Sequence, residues 1–392
     1  MAKWFASNRL REFVNSGSTS GILLLSCVMF SMAIANSPMG PSFESLLASE
    51  LGRDFGSVHL RYSLLLWVND GLMAVFFLLV GLEIKRELVS GQLSTPAKAA
   101  LPIIAALGGV LAPALIYMGF NAGTPTAGGW GIPMATDIAF ALAVITMLGK
   151  RVPPSLKIFL AALAIADDLM AILVIALFYS SEIHVDYLLY AGGVMGLLLL
   201  FNRLQISNVM VYVIPGMLMW YFVHHSGIHA TIAGVMTALA IPVKVKKGGS
   251  PLEKLEHLLI NPVNFLIMPL FALCNTNIAF EEGMAEQLAT PLGMGILFGL
   301  AVGKPAGITA ATWFAVKLNV CSLPENGSWK QLFGVGILAG IGFTMSIFIA
   351  MLSFKGAHDL ESGAKFSVLV ASLLSGVAGA LFLAAAGKDR QE

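Results

Sequence analysis

Residues 156–178 read LKIFLAALAIADDLMAILVIALF. Apart from Lys157 near the start, the only charged residues in this run are Asp167 and Asp168 at its centre. The run predicts a membrane-spanning helix, because about 20 apolar residues cross the hydrocarbon core of a bilayer. A charge inside such a helix costs about 2.5–3.5 kcal/mol on insertion scales. Two adjacent carboxylates at this position therefore indicate a functional site.

The rest of the chain repeats this pattern. It is 57% hydrophobic and 11% charged, whereas roughly 25% of residues are charged in an ordinary soluble domain. A backbone in hydrocarbon must satisfy its own hydrogen bonds, which favours helices throughout. We predict an all-α polytopic membrane protein that forms a single integral membrane domain over residues 1–392. About twelve spans are expected, near 18–35, 63–84, 98–119, 126–148, 155–178, 186–202, 207–223, 227–242, 256–275, 289–315, 332–353 and 363–386.

Charge and cysteine usage narrow the class of protein. The net charge of +1 argues against nucleic acid as a partner, and membrane lipid is the expected surrounding. Cys27, Cys274 and Cys321 are far apart, so neither a disulfide framework nor a cysteine metal site is expected. Arg9 and Arg11 precede an apolar run from Gly21, which we interpret as a signal anchor rather than a cleaved signal peptide.

The distribution of Lys and Arg predicts the orientation. If both termini are cytoplasmic, the outer connections receive only Arg53, Arg61, Lys355 and Lys365, and nearly all other Lys and Arg residues lie inside. The positive-inside rule therefore favours an even number of spans with both termini in the cytoplasm.

The outer connection at 46–61 is too polar to span the membrane. It contains Gly52, Gly56 and a short alternating stretch, Phe55 to Arg61. We predict a small extracytoplasmic hairpin there, with a plain loop as the alternative. The exposed edge of such a hairpin could pair with a second copy of the chain.

The carboxylate pair has the chemistry that ion exchange requires. Asp167 and Asp168 point about 100° apart on a helix, and both burial and a neighbouring like charge disfavour the ionised form of a carboxyl group. The pair should therefore take up protons near neutral pH. Once deprotonated, its oxygens are ligands for a small, hard cation. The alternative is structural: one aspartate caps a broken helix and the other bridges to Lys304.

Two spans are predicted to be interrupted. Pro133 lies in the segment Gly131–Asp137, and a proline disfavours helix at the preceding residue. A second span carries Gly334, Gly336, Gly340 and Gly342 ahead of Thr344 and Ser346. Broken spans at matching positions predict inverted repeats, here residues 98–178 and 289–386.

Asp70, Glu83, Asp137 and Lys304 are further candidates among the charged residues of the predicted spans. Glu83 and Asp70 lie near the cytoplasmic and outer edges, where they are expected to be hydrated ends. Asp137 and Lys304 are candidates to neutralise the dipoles of the broken helices. Lys304 could instead pair with Asp167 or with Asp168.

Histidines supply candidates for a response to pH. His257, beside Glu256, titrates near neutrality and could report internal pH, although a solvated helix end is an equal alternative. His229 follows His225 at a spacing that could hold a metal. Without a third ligand nearby, a hydrogen-bonded histidine at a helix start is favoured.

Six motifs together resemble the NhaA-type bacterial Na+/H+ antiporters, in the same order from the first span to the last: Gly81–Glu87, Ala135–Phe140, Ala164–Leu169, Ser226–Thr231, Gly303–Pro305 and Gly340–Ser346. The resemblance implies twelve helices, with crossed, unwound helices around Thr136–Asp137 and Gly340–Ser346. It also implies electrogenic exchange of Na+ or Li+ for a larger number of protons, and a homodimer joined through the outer hairpin. The chain departs from the family pattern at Ile260, where a second histidine is expected.

The resemblance also implies roles for individual residues. Asp168 would be the main cation ligand, with Asp167 alongside and Thr136 supporting. Lys304 would bridge to Asp167, and Asp137 would balance the helix ends. The residues implied in the pH response are Glu83, Glu256, His257 and His229.

Two other functions were weighed. A cation-coupled symporter of a small organic solute could use the same acidic pair, but it needs polar or basic anchors, and only Lys304 is available. An intramembrane protease needs a His-Glu-x-x-His helix or a Ser–His or Gly-x-Gly-Asp arrangement, none of which occurs in the sequence. We therefore expect a transporter without enzymatic activity or a cofactor.

Overall fold

The computed structural model describes residues 17–54, 59–180, 183–245, 249–280 and 283–387. Arg9 and Arg11, and the stretch Phe55–Val58 of the predicted hairpin, lie outside the described residues. The α-helices, in chain order, are α1 Gly17–Ala35, α2 Gly40–Ala48, α3 Leu64–Ser90, α4 Pro96–Asn121, α5 Ile138–Met147, α6 Pro154–Phe178, α7 Val185–Arg203, α8 Met210–His225, α9 Ile232–Ala240, α10 Pro251–Asn275, α11 Met284–Gln287, α12 Pro291–Lys317, α13 Trp329–Ala339, α14 Phe343–Ser353 and α15 His358–Ala386.

All twelve predicted segments contain helix, and the prediction of an all-α multi-pass membrane protein is confirmed. Among the described residues, eight helices are long and apolar enough to cross a membrane, or up to ten if each of two bent pairs is one span. The bent pairs are α1–α2, at 111°, and α13–α14, at 46°. The predicted count of twelve exceeds this range because α8 has 16 residues and α9 has 9.

Several helices begin at a side-chain cap that the sequence supplies. The hydroxyl groups of Ser250 and Thr290 accept from backbone N–H groups three residues on, and a proline follows each of them as the first helical residue. Ser328 and Gln331 form a capping box at the start of α13. Such caps satisfy N–H groups that have no partner inside the helix. They fix where α10, α12 and α13 begin.

Two short strands lie at the segment predicted as a hairpin, the first within residues 46–61 and the second directly after them. Strand β1, Glu50–Leu51, pairs antiparallel with β2, Tyr62–Ser63, in the register Glu50 to Ser63 and Leu51 to Tyr62. An ion pair of 2.7 Å between Arg61 and Glu50 lies beside this register. Helix α2 continues to Ala48, into the segment 46–61, and the hairpin as a whole stays a prediction.

The chain forms two compact units. The first comprises the described residues up to 26, then 95–171 and 280–387. Its helices α4 and α12 meet at glycines: a Cβ atom at Gly108 would lie 2.3 Å from the Gly307 carbonyl oxygen, and one at Gly307 would lie 2.1 Å from the Gly108 carbonyl oxygen. Small residues of this kind let membrane helices approach closely. An inverted symmetry between 98–178 and 289–386 stays a prediction.

The second unit comprises residues 27–94 and 172–279. Helix α9 packs on α3, and a Cβ atom at Gly234 would lie 2.1 Å from the Ala74 carbonyl oxygen. Helix α3 contains a π-helical turn at Trp67–Leu72, and a second such turn occurs in α10 at Val263–Ile267. Each unit thus brings backbones together at glycine.

Candidate ion-binding site

The two predicted interruptions are present, and they touch each other within the first unit. Residues 135–137 are extended between a 3-10 helix, Ala127–Met134, and α5. The second interruption separates α13 from α14 at 340–342. The Asp137 N–H donates to the Ile341 carbonyl at 2.6 Å, and the Ser346 hydroxyl donates to the Ile132 carbonyl at 2.7 Å. Each break therefore satisfies backbone groups that the other leaves without a helical partner.

Asp137 lies at the N-termini of two helices. Its Oδ1 accepts from the Phe140 N–H, in the first turn of α5, at 3.1 Å. Its Oδ2 accepts from the Thr344 N–H at 3.1 Å and from the Thr344 hydroxyl at 2.5 Å, in the first turn of α14. Helix N-termini carry a partial positive charge. A carboxylate that is only 2% exposed is therefore compensated by two helix dipoles as well as three hydrogen bonds.

Lys304 occupies the opposite electrostatic environment. It is fully buried and directly follows a π-helical turn, Gly299–Gly303, in α12. Its Nζ lies 2.8 Å from the Asp167 Oδ2 and also donates to the carbonyl of Met134, the last residue of the 3-10 helix. Lys304 thus forms an ion pair with one carboxylate and donates a hydrogen bond to the negative end of one helix.

Asp167 is held by two donors on the same oxygen. Besides Lys304, the Thr136 hydroxyl lies 2.6 Å from Asp167 Oδ2, and it is also 2.9 Å from the Ala339 carbonyl at the end of α13. A hydroxyl has one hydrogen, so Thr136 donates to one of these acceptors at a time. Within the described residues, the buried Oδ1 of Asp167 accepts no hydrogen bond.

Asp168 is the next residue of α6 after Asp167. It is 4% exposed, whereas Asp167 is fully buried. Together with the Thr136 hydroxyl, the two carboxylates form a set of oxygen ligands only. Oxygen ligands suit hard cations, and thiolate or imidazole ligands suit softer metals. Oxygen atoms of this kind suit a small hard cation, and carboxylates also accept protons.

The candidates for a pH response lie in the second unit. Glu256 is buried, and its Oε1 lies 2.8 Å from the Arg86 Nη1, while the Arg86 Nη2 lies 3.2 Å from Glu87 Oε1. Glu83 is half-buried on α3, and His257 is exposed on α10. The ring of His229 contacts the Tyr179 carbonyl at 2.6 Å. The structure therefore joins Glu256 to Arg86 in one ion-pair network, and His229 makes a separate contact.

Sequence reasoning missed several partners. Arg86 and Glu87 entered the sequence analysis only as part of the motif Gly81–Glu87. Asp70 was expected to be a hydrated helix end, but its Oδ2 lies 3.0 Å from the His224 Nδ1, with both side chains about one-fifth exposed. Thr344, the hydrogen-bond partner of Asp137 in α14, was indicated in the sequence only by its position. It lies two residues after the last glycine of the broken span.

The architecture defines a class of protein. Discontinuous helices whose ends meet around buried charged groups, in a multi-pass membrane protein, are typical of secondary transporters. A family model described as "Na+/H+ antiporter 1" matches residues 11–383. The chain belongs to this family.

Individual relatives match over nearly their whole length. The chain is 56% identical to "Na(+)/H(+) antiporter NhaA 2" of Flavobacterium johnsoniae, over 100% of this chain and 96% of the relative. It is 48% identical to an NhaA antiporter of Caulobacter vibrioides, over 95% and 90% of the two chains. A protein of the same description from Dechloromonas aromatica is also 48% identical, over 96% of both. The resemblance seen in the sequence motifs is confirmed.

Proposed function

We propose that this chain exchanges cytoplasmic Na+ or Li+ for external protons, with Asp168, Asp167 and Thr136 as the shared site. Membership of the family supports Na+/H+ exchange and not the symporter alternative. The observation that carries the site assignment is the buried aspartate pair in contact with the junction of two broken helices. The proposed setting is a bacterial inner membrane with both termini cytoplasmic.

Competition for the carboxylates accounts for exchange. Ionised Asp168 attracts a cation, and protonation removes the charge that holds it. Asp167 adds a second carboxylate whose Oδ2 is paired with Lys304 at 2.8 Å. A cation that approaches Asp167 competes with the Lys304 ammonium group for this oxygen, because both are positively charged ligands of one carboxylate.

Two carboxylates and one monovalent cation also make the exchange electrogenic. If both groups take up a proton when the cation leaves, two positive charges move in one direction for one in the other. The membrane potential then drives the cycle, at about 2.3 kcal/mol per net charge for each 100 mV. Asp137 and Lys304 balance the charges of the helix ends throughout the transport cycle, since the helix dipoles and these two side chains are not transported.

The proposed exchange is tested by comparing four cations. The purified chain is reconstituted in vesicles with an acidic interior, and Na+, Li+, K+ or choline is added outside while internal pH is followed. Na+ and Li+ should collapse the gradient, and K+ and choline should not. A gradient that survives every cation across the neutral pH range would contradict exchange at this pair.

Thr136→Val should raise the Na+ concentration for half-maximal exchange by about tenfold, because one hydrogen-bonding oxygen of ordinary strength is lost from the site. Valine keeps the shape of threonine, so packing changes little. The matched control is Thr312→Val, since Thr312 is also fully buried and its hydroxyl has no hydrogen-bond partner among the described residues. Equal Na+ dependence in the two variants would remove Thr136 from the site.

We further propose that Glu83, Glu256, His257 and His229 set the response to pH. Glu256 is buried against Arg86, so a change in its charge alters a contact between α10 and α3. His257 is its exposed neighbour on α10. The charge of Glu256 therefore couples proton concentration to the packing of α10 on α3.

His257→Ala should move the activity midpoint to higher pH by about half a unit, because a positive charge at His257 favours the ionised form of the neighbouring Glu256. The exchange rate is measured against pH at saturating Na+. His358→Ala is the control, since His358 is an exposed histidine in the other unit. An unchanged pH profile would mean that His257 is only part of a solvated helix end.

The paired strands β1 and β2 support a homodimer. The outer edge of a strand in a two-stranded sheet can pair with a further strand. We propose that this hairpin faces outward and joins two protomers, with membrane lipid around the remaining surface.

A further inference from the structure

Helix α14 begins in the buried interior of the first unit, with Phe343 4% and Thr344 1% exposed, and it has no cap of its own. The residue before it, Gly342, offers no side chain, and no side-chain cap is formed there. The first N–H groups of a helix have no partner within it, and an N–H group buried away from water costs free energy if it stays unpaired. Acceptors must therefore come from neighbouring segments.

Two such acceptors are present. Asp137 accepts from the Thr344 N–H at 3.1 Å, and the hydroxyl oxygen of Ser372, on α15, accepts from the Phe343 N–H at 3.1 Å. Ser372 lies 29 positions from Phe343 in the chain and is 8% exposed. The first turn of α14 is therefore held from two sides.

This contact differs from the common role of serine in a membrane helix. Ser367, also fully buried on α15, donates to the Gly363 carbonyl of its own helix at 2.8 Å. That bond stays within one helix. Ser372 instead joins α15 to the broken helix.

The first turn of α14 is close to the proposed ion ligands. Thr344 in this turn binds Asp137 through its N–H and its hydroxyl. The residue before Asp137 is Thr136, which binds Asp167 and the Ala339 carbonyl on the other side of the same break. A shift of α14 is therefore passed to Thr136, because Thr344 is hydrogen-bonded to Asp137 and Asp137 is joined to Thr136 by a peptide bond.

We propose that Ser372 is a positioning residue for the exchange reaction: by holding the Phe343 N–H it fixes the start of α14, and through Thr344 and Asp137 it sets the position of the Thr136 hydroxyl. This inference rests on the proposed ion site. Ser372 itself is not a ligand of the cation.

Ser375, one turn further along α15, provides a matched control. It is 1% exposed, and a Cβ atom at Gly340 would lie 2.8 Å from its oxygen, so it faces the same break. Its hydroxyl has no hydrogen-bond partner in the described part of the chain. Ser375→Ala makes the same chemical change in the same setting but leaves no backbone group without its acceptor.

Exchange is measured in vesicles as a function of Na+ concentration for wild type, Ser372→Ala, Ser372→Thr and Ser375→Ala. Ser372→Ala should raise the half-saturating Na+ concentration by about tenfold, the equivalent of one ordinary hydrogen bond, with a smaller change in maximal rate. Ser372→Thr, which keeps the hydroxyl, should restore most of the Na+ affinity. Ser375→Ala should resemble wild type.

Either of two results would overturn the proposal. In the first, Ser372→Ala has the same half-saturating Na+ concentration as Ser375→Ala. In the second, this concentration is raised as much in Ser372→Thr as in Ser372→Ala. If Ser372→Ala is not recovered folded, the isosteric pair Ser372→Thr and Ser372→Val decides, since the two differ by the hydroxyl alone. Absence of Na+-driven proton movement in wild type would contradict the proposed function instead.

Discussion

Asp168→Asn abolishes Na+-dependent proton movement while the protein is still made and inserted. The amide can neither carry a proton in exchange nor balance the charge of a cation. A charged partner in a buried site is worth about 3–5 kcal/mol, so the rate should fall by at least about a hundredfold. The measurement is Na+-driven collapse of a pH gradient in vesicles, normalised to the amount of reconstituted protein.

The control for this variant is Asp359→Asn. Asp359 is an exposed aspartate in the first turn of α15, and its neutralisation should leave exchange unchanged. Wild-type rates in Asp168→Asn would contradict the site assignment, whatever the outcome at Asp359.

Lys304→Met is expected to have the second largest effect, and its main effect is on stability. The fully buried Asp167 would lose its ion pair, and the Met134 carbonyl would lose its donor. Breaking a buried pair from one side costs about 3–5 kcal/mol. The thermal unfolding midpoint in detergent should fall clearly, and exchange should be altered.

A second substitution separates this cause from lost packing. Asp167→Asn in the Lys304→Met background removes the orphaned charge, so it should recover much of the lost stability. Lys317→Ala is the surface control, because Lys317 is exposed at the end of the same helix, with its Nζ 4.7 Å from the Trp313 ring centre. If Lys304→Met changes neither stability nor exchange, Lys304 is not part of the central network.

The central features of the site could be predicted because each has a local signal. Asp167 and Asp168 stand out in an apolar run, and Pro133 and Gly340–Gly342 mark breaks in two other runs. These signals depend on residues a few positions apart. They therefore predicted the helices, the carboxylate pair and the interruptions without any knowledge of packing.

Partners from distant parts of the chain could not be predicted. Sequence reasoning left Lys304 open between Asp167, Asp168 and the helix ends, and the structure shows it on Asp167 and the Met134 carbonyl together. Asp137 meets Thr344 across 207 positions. Such contacts follow from how helices pack in three dimensions, and no periodicity in the sequence records them.

Ser372 and His224 were missed for a related reason. A serine in an apolar helix usually bonds within its own helix, as Ser367 does, so Ser372 carried no distinguishing signal. Asp70 sits near the end of a span and was expected to meet solvent, whereas a π-helical turn and the end of α8 bring it against His224.

The central claim is that one site holds either protons or a cation. It is tested most directly by adding NaCl to the purified protein in weakly buffered solution near neutral pH and recording the protons released, with choline chloride as the control. We predict release with Na+, none with choline, and none from Asp168→Asn. Na+ binding without proton release from the wild-type protein would contradict the account.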